Sequence, residues 1–261
     1  MGLLQRPGSE DHGGGAIGGV VQLLTPRVGK GSTVRVATGG GSDDTMNLNG
    51  SFAHGAEHMS ARLAVSRRET DGYPILPSVS SIDRGYDNDS FSGSLAFNLG
   101  DVAVDVGYFR SEGDVEYLDF FGAAVDQDTR NDLARVSFEV APTDIWQSRL
   151  LLAYVRDEIE ENQSNDFAKT ERDYIDWQNT FVVSDEHTLV GGITANWTDT
   201  ELLSFGSGYD ERIRSIEYYL QDTIDLGKTR LQLGGRAIDN QQYGNNYTWN
   251  FAVGQQLTDQ T

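Results

Sequence analysis

Four stretches of this chain carry side chains whose types and spacing could do chemistry. His54-Gly55-Ala56-Glu57-His58 spells H-x-x-E-H, which ligates zinc when both imidazoles share one helical face, one turn apart. Gly13-Gly14-Gly15-Ala16-Ile17-Gly18 satisfies G-x-G-x-x-G, which holds a pyrophosphate when a strand precedes it and a helix follows. Acids crowd two later segments, Asp114, Glu116, Asp119, Asp126 and Asp128 in one and Asp157, Glu158, Glu160, Glu161 and Asp166 in the next. Hard oxygen donors on adaptable loops suit Ca²⁺, which accepts roughly six to eight ligands in irregular geometry. Asp114, Asp119, Asp126, Asp128 and Asp166 are the candidate calcium ligands, weighed against a merely solvated, self-repelling surface.

The elements that must position these groups decide between the readings. The residues after the glycine run, Val20-Val21-Gln22-Leu23-Leu24-Thr25, have the pattern of a strand, so the dinucleotide fingerprint lacks its helix. His54 to His58 contains a glycine and lies between two alternating segments, so it is expected to be a turn and not a zinc helix. Four histidines and no cysteine give no nucleophile–base spacing, and no catalytic residues are expected.

Alternation runs through the chain from Thr33 onward. Met46, Leu48 and Phe52 alternate with Asn47, Asn49 and Ser51; Phe91, Gly93, Leu95, Phe97 and Leu99 oppose Ser92, Ser94 and Asn98. Ile216, Tyr218, Leu220, Ile224 and Leu226 oppose Glu217, Tyr219, Gln221, Thr223 and Asp225, with Asp222 the one break in the apolar row. No helical stripe competes, and the pattern predicts about twelve strands, many near the ten or so residues of a tilted membrane-crossing strand.

Short connections are expected near Gly55 to Glu57, Gly100, Pro142 to Ile145, Ser184 to Glu186 and Gly227 to Lys228. Long polar loops are expected over Thr70 to Asn88, Ser111 to Arg130, Asp157 to Arg172, Thr198 to Asp210 and Asp239 to Asn246. Short turns on one rim and long loops on the other are the asymmetry of an outer-membrane barrel. A soluble β-sandwich alternates too, but its strands average about five or six residues, and Trp146 and Trp197 fall near strand ends, where interfacial aromatics sit.

Composition narrows the function classes. Forty acids against 20 basic residues give a net charge of −20, so no nucleic-acid partner is expected. The absence of cysteine excludes disulfide-stapled domains and Cys-ligated metals. The first residues lack the basic and apolar regions of a secretory signal, and the last do not form the aromatic closing strand of a barrel. The chain is therefore expected to be an internal piece of a longer protein.

Pro7-Gly8-Ser9, then Gly13, then Ala16-Ile17-Gly18-Gly19-Val20-Val21 and Thr25 resemble the end of the plug domain of TonB-dependent outer-membrane receptors. Gln5-Arg6, His12 and Gln22 depart from that pattern. The plug-motif residues carried over are Pro7, Ser9, Gly13, Ala16, Gly18 and Gly19. Within the family, the cobalamin-transporting members are the most similar, through Glu69-Thr70-Asp71-Gly72-Tyr73, His187 to Gly192, Gly208-Tyr209-Asp210-Glu211-Arg212 and Asp239 to Gly244 with Thr248-Trp249.

The resemblance implies an all-β fold, a partial transmembrane antiparallel β-barrel of about 12 strands out of roughly 22, preceded by the end of a plug. Residues 1–31 would be the plug remnant and 32–261 the barrel portion. It further implies contact with outer-membrane lipid, coupling to the TonB complex through a segment upstream, uptake of cobalamin or a siderophore, and calcium on acidic outer loops. A passive porin-like or adhesin barrel and a secreted β-rich enzyme are the rival classes.

Overall fold

The computed structural model describes residues 2–4, 20–22, 28–78 and 80–257. Two short strands, β1 (Gly2–Leu4) and β2 (Val20–Gln22), pair with each other. Then come β3 (Gly31–Gly40), β4 (Met46–Gly55), β5 (Met59–Tyr73), β6 (Arg84–Leu99), β7 (Val102–Leu118) and β8 (Ala124–Thr143). β9 (Trp146–Glu161), β10 (Phe167–Val182), β11 (His187–Ser204), β12 (Ser207–Asp225), β13 (Thr229–Asn240) and β14 (Gly244–Gln255) complete the chain. β3 to β14 form one 12-stranded antiparallel sheet in strict sequence order, because every connection is a hairpin. The first strand of this sheet begins at Gly31, beside the expected boundary between plug and barrel.

The register sorts the side chains by face. Val34, Phe52, Leu63 and Gly93 lie in one row across β3 to β6, and Leu95, Val106, Val136, Leu152 and Ile175 lie in another across β6 to β10. This apolar face is uncovered: Val36 is 73% exposed and Leu220 60%, while Val104 is the one apolar side chain counted as core among the described residues. A sandwich would pack this face against a second sheet. A bilayer-facing wall leaves it open to hydrocarbon. The opposite face carries serine, threonine, asparagine and charged residues, including an Asp105–Arg135 ion pair of 2.7 Å.

The predicted long loops are for the most part not loops. Most of Ser111 to Arg130 is strand, with β7 and β8 joined by a tight connection at residues 119–123. Residues 162–166 join β9 to β10, 205–206 join β11 to β12, and 241–243 join β13 to β14. The physical reason is that each segment has an antiparallel partner of equal length, so continuing the ladder satisfies backbone groups that a loop would leave to water. Strands of up to 20 residues result, about twice what a bilayer crossing needs. In the connection from β5 to β6, residues 74–78 and 80–83 keep loop character.

Candidate functional site on the inner wall and its rim

The polar face has a buried centre. Arg236, Glu217, Thr194 and Ser215 are each less than a tenth exposed. Arg236 donates from Nη1 to Glu217 Oε2 at 2.6 Å, and its guanidinium lies 4.7 Å from the centre of the Tyr219 ring. Beside it, Asp176 Oδ2 accepts from the Thr194 hydroxyl at 2.8 Å and from the Tyr219 hydroxyl at 3.4 Å. The ring lies flat because Gly192, its directly paired neighbour on β11, has no side chain in the way. A buried ion pair costs desolvation that only good geometry and further hydrogen bonds offset; here stacking on Tyr219 supplies part of that enclosure.

Above the apolar band the two faces exchange character. Arg110, Glu112, Asp114 and Glu116 continue the row of Val102, Val104, Val106 and Tyr108, and they pair across the sheet with Asp132, Arg130, Asp128 and Asp126. Asp132, only 5% exposed, sits at the changeover. It accepts from Arg110 Nε at 2.7 Å, Arg130 Nε at 2.8 Å and the Tyr108 hydroxyl at 2.8 Å. The inner face at this height is mostly uncharged, with Val115, Tyr117, Thr129, Ile159, Thr200 and Leu202 in place.

Contacts between neighbouring hairpins stitch the rim. The Tyr117 hydroxyl donates to Glu161 at 2.6 Å, joining β7 to β9. This bond, with burial, pushes the Tyr117 phenol up to about 12. Asn162 and Gln163 donate to the Asp126 carboxylate. Asp166 accepts the Phe205 backbone N–H at 3.0 Å, and the Gly85 N–H donates to Glu116 at 3.0 Å. Phe205 and Gly206 both have positive φ, 49° and 77°, which suits a two-residue hairpin turn.

The five candidate calcium ligands do not converge on one point. Asp114 and Asp128 face each other across the ladder, lining an open recess of about 600 Å³ on the outward face with Arg130 and Arg156. Asp126 is engaged by β9–β10 turn residues, and Asp119 Oδ1 accepts from the backbone N–H groups of Phe121 and Ala123 at 2.9 and 2.7 Å. Asp166 is on a different hairpin. Among the described residues no group of three or more His, Asp or Glu side chains is arranged to hold a metal ion. The plug-motif residues Pro7, Ser9, Gly13, Ala16, Gly18 and Gly19 lie outside the described residues.

Sequence reasoning placed Glu217 and Tyr219 in a polar row but missed the buried cluster they form. The available signal was the glycine pair Gly191-Gly192 on one strand and the bulky Tyr219 on its neighbour, which becomes visible only when the register is known.

No family model matches the chain. It is 28% identical over 257 residues to the vitamin B12 transporter BtuB of Photobacterium profundum, covering 95% of this chain and 42% of that protein. It is 23% identical to the vitamin B12 transporter BtuB of Vibrio vulnificus, covering 97% of this chain and 43% of that one. Among solved structures, a ferric enterobactin receptor mutant of Pseudomonas aeruginosa superposes with a TM-score of 0.77 at 16% identity, over 98% of this chain and 46% of that one. The siderophore receptor PirA of the same organism gives 0.74 at 22% identity, over 98% and 46%. The chain thus spans under half the length of these relatives, and its fold is that of an outer-membrane receptor barrel wall.

Proposed function

We propose that this chain forms the barrel wall of a TonB-dependent outer-membrane receptor that actively takes up cobalamin. The observation that carries the reading is the colinear similarity to vitamin B12 transporters over 95% of the chain, on a wall whose outer face is apolar and whose inner face is polar. The polar inner face suits a lumen filled by a plug, and the buried Arg236–Glu217 pair gives that lumen a fixed surface. The mostly uncharged inner face of the rim suits a ligand held chiefly by hydrogen bonds and apolar contact. The energy would come from the TonB complex through a plug upstream of the barrel.

Asp119, Asp126 and Asp128 would be the part of the rim nearest to a calcium role. Asp119 and Asp126 already have protein partners, so calcium would have to displace contacts that the structure contains. A siderophore-iron receptor is the second reading, favoured by the superpositions with siderophore receptors, though at 16% and 22% identity those speak to fold alone.

Complementation tests the proposal. The intact protein carrying this sequence, expressed in a Gram-negative strain lacking its own cobalamin receptor, is expected to restore growth on nanomolar cobalamin, and only when TonB is present. Growth restored by ferric siderophores alone would transfer the assignment to the second reading. Uptake that persists without TonB would replace both with a passive channel.

A further inference from the structure

His54 and His58, rejected as zinc ligands, and Asp222, the break in an apolar row, lie outside the site described above. The structure gives two of these residues and His187 a common setting. His54 continues the row of Phe52 on β4, and His187 continues the row of Leu189 and Ile193 on β11, so both imidazoles lie on the apolar, outward face. Both also stand at the short-turn end of the sheet: His54 is next to the last residue of β4, and His187 is the first residue of β11. In barrels of this kind that end faces the periplasm.

Each ring is oriented in the same way. His54 Nδ1 is 2.8 Å from the hydroxyl of Ser32, its cross-strand partner on β3. His187 Nδ1 is 2.9 Å from Asp222 Oδ2 on β12. The bond at Nδ1 fixes each ring and leaves Nε2 as the nitrogen through which a group outside the chain would be met; the His187 side chain is 43% exposed. Asp222 is thereby explained: a carboxylate in an apolar row is costly unless it is paired, and His187 pairs it.

We propose that the His54–Ser32 and His187–Asp222 pairs are docking points for phospholipid headgroups of the periplasmic leaflet, with Nε2 hydrogen-bonded to the lipid phosphate. The surface is continuous with the hydrocarbon-facing band, so the groups at its lower margin meet the headgroup layer. At His54 the Ser32 hydroxyl donates to Nδ1 and Nε2–H is the donor to phosphate; at His187 Nδ1–H donates to Asp222, so Nε2 donates to phosphate when the ring carries both protons. Trp146 and Phe181, stacked at 5.8 Å near the same end, anchor the margin through their rings; the two histidine pairs supply the polar counterpart on other strands. His58 lies in the turn between β4 and β5, outside the rows, and is not part of the site.

The test is solid-state NMR on the intact protein with ¹⁵N-labelled histidine, in phosphatidylethanolamine–phosphatidylglycerol bilayers, after heat-modifiable migration has established that the barrel is folded. The expected result is ³¹P-induced dephasing of two Nε2 signals, one lost in His54→Gln and the other in His187→Gln. Asp222→Leu is expected to weaken the His187 dephasing by at least half, because the ring is no longer held. In a phosphate-free galactolipid bilayer both effects are expected to vanish. No dephasing in the folded protein, or dephasing at His58 alone, would overturn the proposal. Dephasing restored in galactolipid by inorganic phosphate would overturn the lipid assignment and leave a free-anion site. Failure of cobalamin uptake would leave the result unaffected, since the site depends only on which face meets lipid.

Discussion

Gly192 lies directly beneath the ring of Tyr219: a Cβ at position 192 would come within 2.6 Å of the Tyr219 hydroxyl oxygen and 2.7 Å of Cζ, and 2.4 Å from the Trp177 carbonyl oxygen. The tyrosine therefore fills the space where a side chain would otherwise stand, and its other face carries Arg236. The wall at this point is a stack of three residues from three adjacent strands.

Gly192→Ala is expected to lift Tyr219 off the wall and destabilise the intact barrel by about 1–3 kcal/mol, the usual cost of overpacking. A lowered urea midpoint for unfolding from detergent or bilayer is the measurement. An unchanged midpoint would mean that the ring is not seated on the glycine.

Removing one half of the buried ion pair is expected to cost more than removing both. Glu217→Gln or Arg236→Met should each destabilise by about 3–5 kcal/mol, because an uncompensated charge is left behind. The double variant should recover a good part of the loss. Additive losses in the double-mutant cycle would show that the two side chains act independently.

The rim hydrogen bond between Tyr117 and Glu161 lies beyond the apolar band and makes a spectroscopic prediction. Tyr117 should ionise only near pH 12, and Glu161→Gln should bring it down towards the ordinary phenol range. Because the folded value is raised, the bond's stabilisation is present below about pH 10 and disappears as pH rises towards 12. Tyr117→Phe is expected to cost about 0.5–1.5 kcal/mol, read as faster amide exchange in the β9–β10 turn.

Asp114, also beyond the apolar band, is raised by burial and by the nearby Asp126 and Asp128. A carboxyl raised on folding weakens the native state as pH climbs from its unfolded value through its folded one. Acidification through that window should therefore slow amide exchange in the upper part of β7 and β8. Asp128→Asn should reproduce the gain at neutral pH and flatten the pH response.

Calcium is the other means of relieving the same repulsion. Millimolar calcium at constant ionic strength is expected to protect the β7–β8 tip, and Asp114→Asn with Asp128→Asn should abolish the effect. Identical exchange with calcium and with sodium would remove calcium from this rim.

Much of the wall was legible in the sequence because a sheet with one face in hydrocarbon imposes a two-residue period that few soluble elements sustain. Phe52, Leu95, Val106 and Leu220 were each assigned to the apolar row that the register gives them. The ends of the strands were not legible. Ser111 to Arg130 has the polarity of a loop, yet all but the tip at 119–123 pairs residue by residue, because beyond the bilayer both faces of a strand can be polar and the apolar signal stops while the ladder continues. The site at Arg236, Glu217 and Tyr219 was invisible for a different reason: it is assembled across β12 and β13 over β11, and cross-strand register is not written in any single segment.

The stitched hairpins have a mechanical consequence. Tyr117, Asp126, Asp166 and Glu116 tie each projecting finger to the next, so over this part of the circumference the mouth behaves as one stiff collar and not as separate flaps. In the receptor proposed above, solutes would be sorted by size along this part of the rim, and whatever opens and shuts would have to be sought elsewhere in the assembly.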